Sequence, residues 1–199
     1  MPAPFNFRPT LMKQLIAACL LTVAAAGANA ALHEGDTAPA FRATASLAGK
    51  AFDYSLREAL ARGPVVVYFY PAAFTIGCSL QAHAFAVNLK QFSDAGASII
   101  GVSLDRIERL NEFSADPESC AGTVAVASDA KGAIAKSFDL VVREQKAGRK
   151  TQRGDDIDHG LAERTTFVIR PDGHIAATLS GLSPEDNVAR ALDAVRALK

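Results

Sequence analysis

The sequence predicts an α/β fold with a mixed central β-sheet flanked by helices, and three observations predict it. Apolar runs rich in β-branched and aromatic residues at 64–70, 97–104 and 123–128 are typical of buried strands. A helical pattern follows each run, and this alternation predicts parallel strands joined by crossover helices. A hairpin pattern at 164–181 then adds antiparallel strands. With 199 residues, 49% of them hydrophobic, the chain is long enough to form one sizeable core.

Each element is predicted by its own local pattern. The run "PVVVYFY" is apolar throughout, which indicates a central strand buried on both faces. Beyond it, Phe85, Leu89 and Phe92 share one face of a helix, and Gly96 is suited to end that helix. The predicted elements, in chain order, are a polar lead-in over 33–41, a short strand over 51–56, a strand over 64–70, a helix from Cys78 to about Ala95, a strand over 97–104, a helix capped by Asp105, a strand over 123–128, a short helix over 130–138, an exposed loop over 143–160, the hairpin with its turn at 171–173, and a helix capped by Ser183.

The N-terminus has the pattern of a secretory signal peptide. Two basic residues precede an apolar run over 15–26, and a small-residue A-x-A site at 28–30 ends it. The run is shorter than the roughly 20 apolar residues of a spanning helix, which disfavours a membrane anchor. We therefore predict a signal peptide at 1–30 and a mature domain at 31–199. That domain is expected to be periplasmic or secreted and to have no membrane contact after cleavage.

The charge balance gives no indication of a nucleic-acid partner. The 21 basic residues equal the 21 acidic ones, and removal of residues 1–30 leaves a net charge of −2. A nucleic-acid-binding protein is expected to carry a basic footprint instead.

Signal cleavage also changes the number of cysteines. It removes Cys19 and leaves Cys78 and Cys120 in the mature chain. An even number of thiols in an oxidising compartment is able to pair. The spacing matches no zinc motif, so no metal site is predicted.

Cys78 occupies a position where α/β sheets commonly place reactive groups. It follows the carboxyl end of strand 64–70 and lies in the first turn of the next helix. The unpaired N–H groups and positive dipole end of that helix favour the reactive thiolate over the thiol. Thr75, about one helical turn upstream, is expected to donate its hydroxyl proton to an oxygen held beside the sulfur. Pro71 lacks an N–H, fixes the chain as it leaves the strand and is expected to shield the sulfur from water.

The segment "PAAFTIGC" at 71–78 matches P-x-x-x-T-x-x-C and resembles the active-site signature of the peroxiredoxins. The segment "RTTFVIRPDGHI", which starts at Arg164, resembles the hairpin of that family, and "GVSLD" and "VASDAKGAIAKSF" resemble further landmarks. The likeness extends over about residues 33–198 and is greatest to the bacterioferritin-comigratory, or PrxQ-like, subgroup. It implies a thioredoxin-like fold.

The resemblance implies a role for each matching residue. Cys78 would be the peroxidatic cysteine, whose thiolate attacks the O–O bond, and Thr75 would hydrogen-bond the peroxide. Arg164 would stabilise the thiolate and the negative charge on the leaving oxygen, while Pro71 would shield the site. Gln81 stands where the family often has Glu, and its amide is still able to bond Arg164, so it receives a supporting role.

The resemblance also implies a second thiol, because a sulfenic acid at Cys78 condenses with one to form a disulfide. Many PrxQ-like members have this resolving cysteine five positions on, where this chain has His83. Other members have it in the region of Cys120, which implies an intrachain Cys78–Cys120 disulfide and partial unwinding of the helix at Cys78. From the residues alone, a structural disulfide, an intermolecular bond and an unpaired thiol stay open for Cys120.

We therefore predict a thiol-dependent peroxidase that reduces hydrogen peroxide or organic hydroperoxides. The resemblance implies a thioredoxin-like protein reductant, a monomer, and no metal or prosthetic group. Two alternatives stay open: a thiol–disulfide oxidoreductase on the same fold, although Cys78 has no C-x-x-C partner, and a non-catalytic binding domain stapled by Cys78–Cys120. The loop at 143–160 is a candidate docking surface or a lid near Arg164, and His159 within it has no predicted role.

Overall fold

A computed structural model describes residue 1 and residues 31–198. The predicted signal peptide therefore lies outside the described residues, apart from Met1, and stays a prediction. Within the described range, seven strands form one mixed sheet with helices on both faces. This confirms the predicted fold class.

Between residues 65 and 137 the strands and helices alternate as the sequence pattern predicts, whereas a short helix at 56–60 and two short strands at 142–143 and 161–162 were not predicted. The strands are β1 (Arg42–Leu47), β2 (Lys50–Ser55), β3 (Val65–Phe69), β4 (Ser98–Ser103), β5 (Ala125–Ser128), β6 (Val142–Arg143), β7 (Leu161–Ala162), β8 (Thr165–Ile169) and β9 (Ile175–Ser180). The helices are α1 (Leu56–Leu60), α2 (Ile76–Asp94), α3 (Ile107–Ala115), α4 (Ala133–Ser137) and α5 (Pro184–Arg196).

The main sheet has the strand order β2-β1-β5-β4-β3-β8-β9, and β6 pairs with β7 separately. The strands β3, β4 and β5 run parallel, whereas β8 runs antiparallel to β3. The hairpin β8–β9 therefore brings the residue before β8 to the carboxyl end of β3, next to the start of α2. The fold thus places Arg164 beside the first turn that contains Cys78.

The central strand β3 separates two apolar layers. Alternate residues point to opposite faces of a strand, so Val66 and Tyr68 pack against α2 and α5, while Val65 and Val67 pack on the opposite face. All five residues of β3 are fully buried, because helices cover both faces of the sheet. This explains why the sequence of β3 is apolar throughout.

Gly101 of β4 makes room for the ring of Tyr68. The two residues are directly opposed in the β3–β4 register, and a Cβ atom on Gly101 would lie 2.5 Å from a ring carbon of Tyr68. The ring then stacks on Phe85 of α2, with 4.5 Å between centroids. A glycine in this strand is thus required by the close approach of a side chain.

Three local predictions need correction. The strand β1 was not predicted from the sequence, yet it pairs with β2 over its whole length. Asp105 does not cap α3: the N-cap residue is Arg106, and the buried Asp105 carboxylate points to other partners. The loop at 143–160 is not exposed throughout, because Thr151 and Ile157 are 6% and 4% exposed and pack inward.

Among residue 1 and residues 31–198, no helix has the length and apolar content needed to span a membrane.

Candidate active site

Cys78 lies in the first turn of α2, as the sequence predicts. The helix begins at Ile76, and the N–H groups of Cys78 and Ser79 both donate to the carbonyl oxygen of Thr75, at 3.0 and 2.9 Å. The thiol therefore lies at the end of a 19-residue helix where the dipole favours negative charge. Its side chain is only 1% exposed.

Arg164 brings a positive charge to this buried sulfur. Its Nη2 atom donates to Cys78 Sγ across 3.3 Å. Because a guanidinium stays protonated at any physiological pH, the sulfur has a permanent cationic partner. The two residues are 86 positions apart in the chain, and the antiparallel pairing of β8 with β3 joins them.

A chain of hydrogen bonds fixes the orientation of Gln81. Its Oε1 atom accepts from Arg164 Nη1, and its Nε2 atom donates to Asn187 Oδ1 at 3.0 Å. The same Asn187 oxygen accepts from the Thr166 hydroxyl at 2.6 Å, while its Nδ2 atom donates to the Leu179 carbonyl. Every group in the chain has a matched partner, so the amide oxygen of Gln81 is held toward Arg164.

The hydroxyl of Thr75 does not point its proton as the sequence interpretation expects. Thr75 Oγ1 donates to the carbonyl oxygen of Ala72 at 2.9 Å. A hydroxyl has a single proton, so in this arrangement the oxygen is free to accept a hydrogen bond rather than to donate one. Thr75 therefore offers a hydrogen-bond acceptor beside Cys78, where the sequence predicts a donor.

These groups line a cavity of about 420 Å³. Pro71, Thr75, Cys78 and Arg164 line it. Residues 149–152, Ile157 and Leu161 also line it, so the long loop contributes to the cavity wall. The structure therefore brings four of the six predicted site residues to one cavity, places Gln81 behind Arg164 and leaves Cys120 outside the lining.

Cys120 lies in the turn between α3 and β5 and is fully buried. Cys78 and Cys120 are both free thiols. Burial raises the pKa of the Cys120 thiol, and the nearby Asp116 carboxylate adds to the effect, whereas the Tyr68 hydroxyl opposes it in part. The Tyr68 phenol lies near both sulfurs, and burial together with the two thiols raises the pKa of Tyr68 well above its ordinary value.

Comparisons with known proteins identify the family of the chain. A family model described as the AhpC/TSA family matches residues 35–178. A Mycobacterium tuberculosis relative, MT2597, whose name places it among the peroxiredoxins, is 33% identical over 165 residues, 80% of this chain and 92% of its own length. The chain belongs to the peroxiredoxin (AhpC/TSA) family.

Further comparisons show similarity to peroxiredoxins of the Bcp type. Peroxiredoxin Bcp of Xanthomonas campestris is 32% identical over 111 residues, which are 56% of this chain and 62% of that protein. The crystal structure of peroxidoxin BcpB from Mycobacterium tuberculosis superposes with a TM-score of 0.70 at 30% identity, over 84% of this chain and 99% of that one. The sequence motifs had pointed to the same subgroup.

This peroxiredoxin also has site residues that sequence reasoning missed. Asp105 Oδ2 accepts from the N–H of Ala73 and from the Ser103 hydroxyl, both at 2.8 Å, so it anchors the segment that leads to Cys78. His159 Nε2 lies 2.9 Å from Asp105 Oδ1, and its Nδ1 lies 2.8 Å from the Gly160 carbonyl oxygen. Both partners of the ring are acceptors, so this arrangement favours the protonated ring, which donates from both nitrogens, and the contact with Asp105 raises the pKa of His159 against the opposing effect of burial. No local pattern could have identified this pair, because its members are 54 positions apart.

Proposed function

We propose that this peroxiredoxin is a periplasmic or secreted thiol peroxidase that uses Cys78 as its peroxidatic cysteine and Cys120 as its resolving cysteine. The observation that carries the proposal is the Arg164 guanidinium 3.3 Å from a buried Cys78 Sγ in a cavity. Family membership supports the peroxidase activity, and the geometry supports the residue roles.

The first step is attack of the Cys78 thiolate on one oxygen of a hydroperoxide, ROOH. An S–O bond forms and the O–O bond breaks; with one proton taken up, the products are a Cys78 sulfenic acid and ROH. Negative charge moves from sulfur to the leaving oxygen, and the Arg164 guanidinium beside them stabilises both ends of that transfer. Thr75 accepts a hydrogen bond from the peroxide O–H and so orients it. Pro71 limits access of water to the sulfur.

The second step is condensation of the sulfenic acid with the Cys120 thiol. The S–S bond forms, the S–O bond breaks, and the hydroxyl leaves as water with the thiol proton. A dithiol protein of the thioredoxin type then returns the two electrons by thiol–disulfide exchange. The range of 31–198 contains no third cysteine, so within one mature chain Cys120 is the available partner.

The activity is tested by mixing the reduced 31–199 chain with one equivalent of hydrogen peroxide and following thiol loss in a stopped-flow instrument. Wild type is expected to react orders of magnitude faster than free cysteine, and Cys78→Ser is expected to abolish the fast phase while leaving the fold intact. A rate equal to that of free cysteine would reject the peroxidase. If fast disulfide exchange with a dithiol protein is found without that peroxide phase, the chain is a thiol–disulfide oxidoreductase instead.

The role of Cys120 has a separate test. After one equivalent of peroxide, mass spectrometry of peptides is expected to find an intrachain Cys78–Cys120 disulfide in wild type. Cys120→Ser is expected to react with peroxide at nearly the wild-type rate but to stop at the sulfenic acid and proceed to the sulfinic acid with excess peroxide. A Cys120→Ser chain that turns over like wild type with a thioredoxin-type donor would remove Cys120 from the mechanism.

The location is tested by expressing the full chain in a bacterial host and fractionating the cells. The predicted cleavage gives a periplasmic or secreted product whose N-terminal residue is Ala31. Recovery of the uncleaved chain in the cytoplasm would contradict this part of the proposal. Sedimentation of the product at micromolar concentration tests the predicted monomer.

A further inference from the structure

Arg153 contacts the segments of both redox cysteines. Its guanidinium lies 3.6 Å from the centroid of the Phe74 ring, four residues before the peroxidatic cysteine. Its Nη2 atom pairs with Asp116 Oδ2 at 2.5 Å, four residues before the resolving cysteine. Its Nη1 atom pairs with Glu112 of α3 at 3.2 Å. One side chain of the long loop therefore joins the two segments to each other.

The backbone at Phe74 is strained and held by its neighbours. Its φ angle is +56°, in the left-handed region that a bulky residue rarely adopts. The Gln152 N–H donates to the Phe74 carbonyl at 2.8 Å, Arg153 stacks on one face of the ring, and Phe113 packs edge-on with 5.1 Å between centroids. A strained residue persists only where its surroundings determine its conformation. When the contacts of Gln152 and Arg153 with Phe74 are lost, the strain at Phe74 favours movement of the segment that leads to Cys78.

The segment of Cys120 has a parallel construction. Asp116 Oδ1 accepts from the N–H of Glu118 at 3.0 Å, and the Asp116 carbonyl accepts from the N–H groups of Ser119 and Ala121 at 3.1 and 2.9 Å. Ala121, next to Cys120, also has a positive φ, of +51°. Asp116 thus organises a strained turn around the second thiol, and Arg153 neutralises the carboxylate that organises it.

The contact of Arg153 with these segments is prepared by its own turn. The buried Thr151 hydroxyl accepts from the N–H groups of Arg153 and Asp155, both at 3.2 Å, and the Thr151 N–H donates to the Asp155 carbonyl at 2.9 Å. Hydrogen bonds within the turn at 151–155 therefore fix its backbone. The Arg153 side chain then loses less conformational entropy when it contacts Phe74 and Asp116.

We propose that Arg153 is a positioning residue for the second step of the reaction. It holds Phe74 and Asp116 in the reduced arrangement, and its release sets the rate at which the Cys78 sulfenic acid condenses with Cys120. Both sulfurs are buried and unbonded in the reduced fold, and the proposal includes a shift of at least one segment into the narrow geometry that a disulfide requires. This inference rests on the proposed function, in which Cys120 resolves the sulfenic acid. It adds that a residue outside both cysteine segments controls that step.

The test separates the two steps in time. Reduced 31–199 chain is mixed with hydrogen peroxide, quenched by rapid thiol alkylation and analysed by mass spectrometry for sulfenic acid, disulfide and sulfinic acid. Arg153→Ala is expected to leave sulfenic acid formation within about twofold of wild type and to accelerate disulfide formation about fivefold, the size expected for one cation–π contact and partly exposed ion pairs. At high peroxide, the variant is expected to give less sulfinic acid, because the disulfide forms before a second peroxide reacts.

Three further variants make the result specific. Arg153→Lys keeps the charge but loses the planar stacking on Phe74, so an intermediate acceleration is expected. Asp116→Asn keeps the acceptor for the turn but removes the charge that Arg153 holds, so it is expected to accelerate the same step. Arg106→Ala is the matched control, because it breaks an exposed pair between the same loop, at Asp158, and the same helix without touching either cysteine segment. It is expected to leave both steps unchanged.

The outcomes distinguish this inference from the proposed function. If wild type forms no Cys78–Cys120 disulfide, the proposed resolving step fails. If wild type forms the disulfide and Arg153→Ala forms it no faster, or if Arg106→Ala accelerates it equally, the role of Arg153 is overturned. Slowing of both steps in Arg153→Ala would show a merely structural role and would also overturn it.

Discussion

The surroundings of Cys78 and Cys120 are alike in burial and opposite in charge. The two side chains are 1% and 0% exposed. Cys78 has the Arg164 guanidinium at 3.3 Å and the N-terminus of a long helix around it. Cys120 has burial and the Asp116 carboxylate, which raise the pKa of its thiol. The two thiols therefore differ in their charged partner and not in their exposure, and under the proposed function this difference separates the peroxidatic thiol from the resolving one.

Removing the cation that distinguishes Cys78 from Cys120 is expected to have the largest effect. Arg164→Ala removes the cation from Cys78 and makes its surroundings resemble those of Cys120. We expect the rate of Cys78 oxidation by hydrogen peroxide to fall about 10²- to 10³-fold, the size seen when one preorganised donor is removed from a developing anion. The rate is measured by stopped-flow thiol loss in the Cys120→Ser background, so that only the first step is observed.

Arg164→Lys is the matched variant. It keeps the charge but replaces the two nitrogens that bond Gln81 and the sulfur with a single ammonium on a different stem, so its rate is expected to lie between those of wild type and Arg164→Ala. A rate for Arg164→Ala within threefold of wild type would contradict the electrostatic role.

A second effect is the difference between the two thiols toward an alkylating reagent. In the native reduced chain at pH 7, we expect iodoacetamide to modify Cys78 at least about 100-fold faster than Cys120, because only the thiolate reacts and the raised pKa of Cys120 keeps it protonated. Peptide mass spectrometry at successive times measures both rates. In guanidinium chloride the two rates are expected to become equal, and a ratio near one in the native chain would remove the distinction.

A smaller effect is expected from the residues that support Arg164. Gln81→Leu removes the acceptor of Arg164 Nη1 and leaves the buried Asn187 without one of its donors. We expect the rate of Cys78 oxidation to fall about tenfold, the low end of the range for residues that position a reacting group. Asn187→Leu is expected to give a similar but smaller loss, because it frees the Gln81 amide without removing it. Wild-type rates in both variants would show that the position of Arg164 does not depend on its hydrogen bonds to Gln81 and, through it, to Asn187.

The sequence predicts one half of this site much better than the other, and the reason is physical. Pro71, Thr75 and Cys78 fall within eight residues and on a single strand–helix junction, so local rules place them together. Arg164 could be added because it starts a recognisable hairpin. The contacts that join Gln81 to Asn187, by contrast, cross 106 positions and depend on how α5 packs on α2. No periodicity or spacing encodes such a contact.

The missed strand β1 and the mistaken cap at Asp105 have related causes. β1 has an irregular burial pattern, since it lies near the edge of the sheet and pairs with β5 at only two residues. Asp105 precedes a helix and so matches the cap pattern, but its buried carboxylate instead bonds Ser103, two residues before it, and two distant partners, Ala73 and His159. Tertiary contacts override local preference in both cases.

The last expected effect is on stability and not on rate; it concerns the pair of His159 and Asp105, and its sign follows from the two pKa shifts. Burial opposes ionisation of both groups, but their mutual hydrogen bond and attraction outweigh it, so the pKa of His159 is raised and the pKa of Asp105 is lowered. The contribution of His159 to stability is therefore present below its ordinary pKa of 6.5 and is lost as pH rises through its raised value. The contribution of Asp105 is present above 3.8 and is lost as pH falls through its lowered value.

The pair is thus expected to stabilise the fold most between about pH 4 and 6.5. His159→Asn should lower the free energy of unfolding by about 2 kcal/mol at pH 6, the size of a hydrogen bond to a charged group, and by less at pH 9. Urea unfolding of both chains in the Cys120→Ser background, followed by circular dichroism, measures the difference. The Nη1 atom of Arg109 lies 3.5 Å from the same Asp105 oxygen, so the Asp105 carboxylate still has a cationic partner when the imidazole is neutral. A destabilisation that is the same at both pH values would mean that the ring does not titrate between them. The contact of His159 with Asp105 would then not make the attachment of the loop depend on pH over this range.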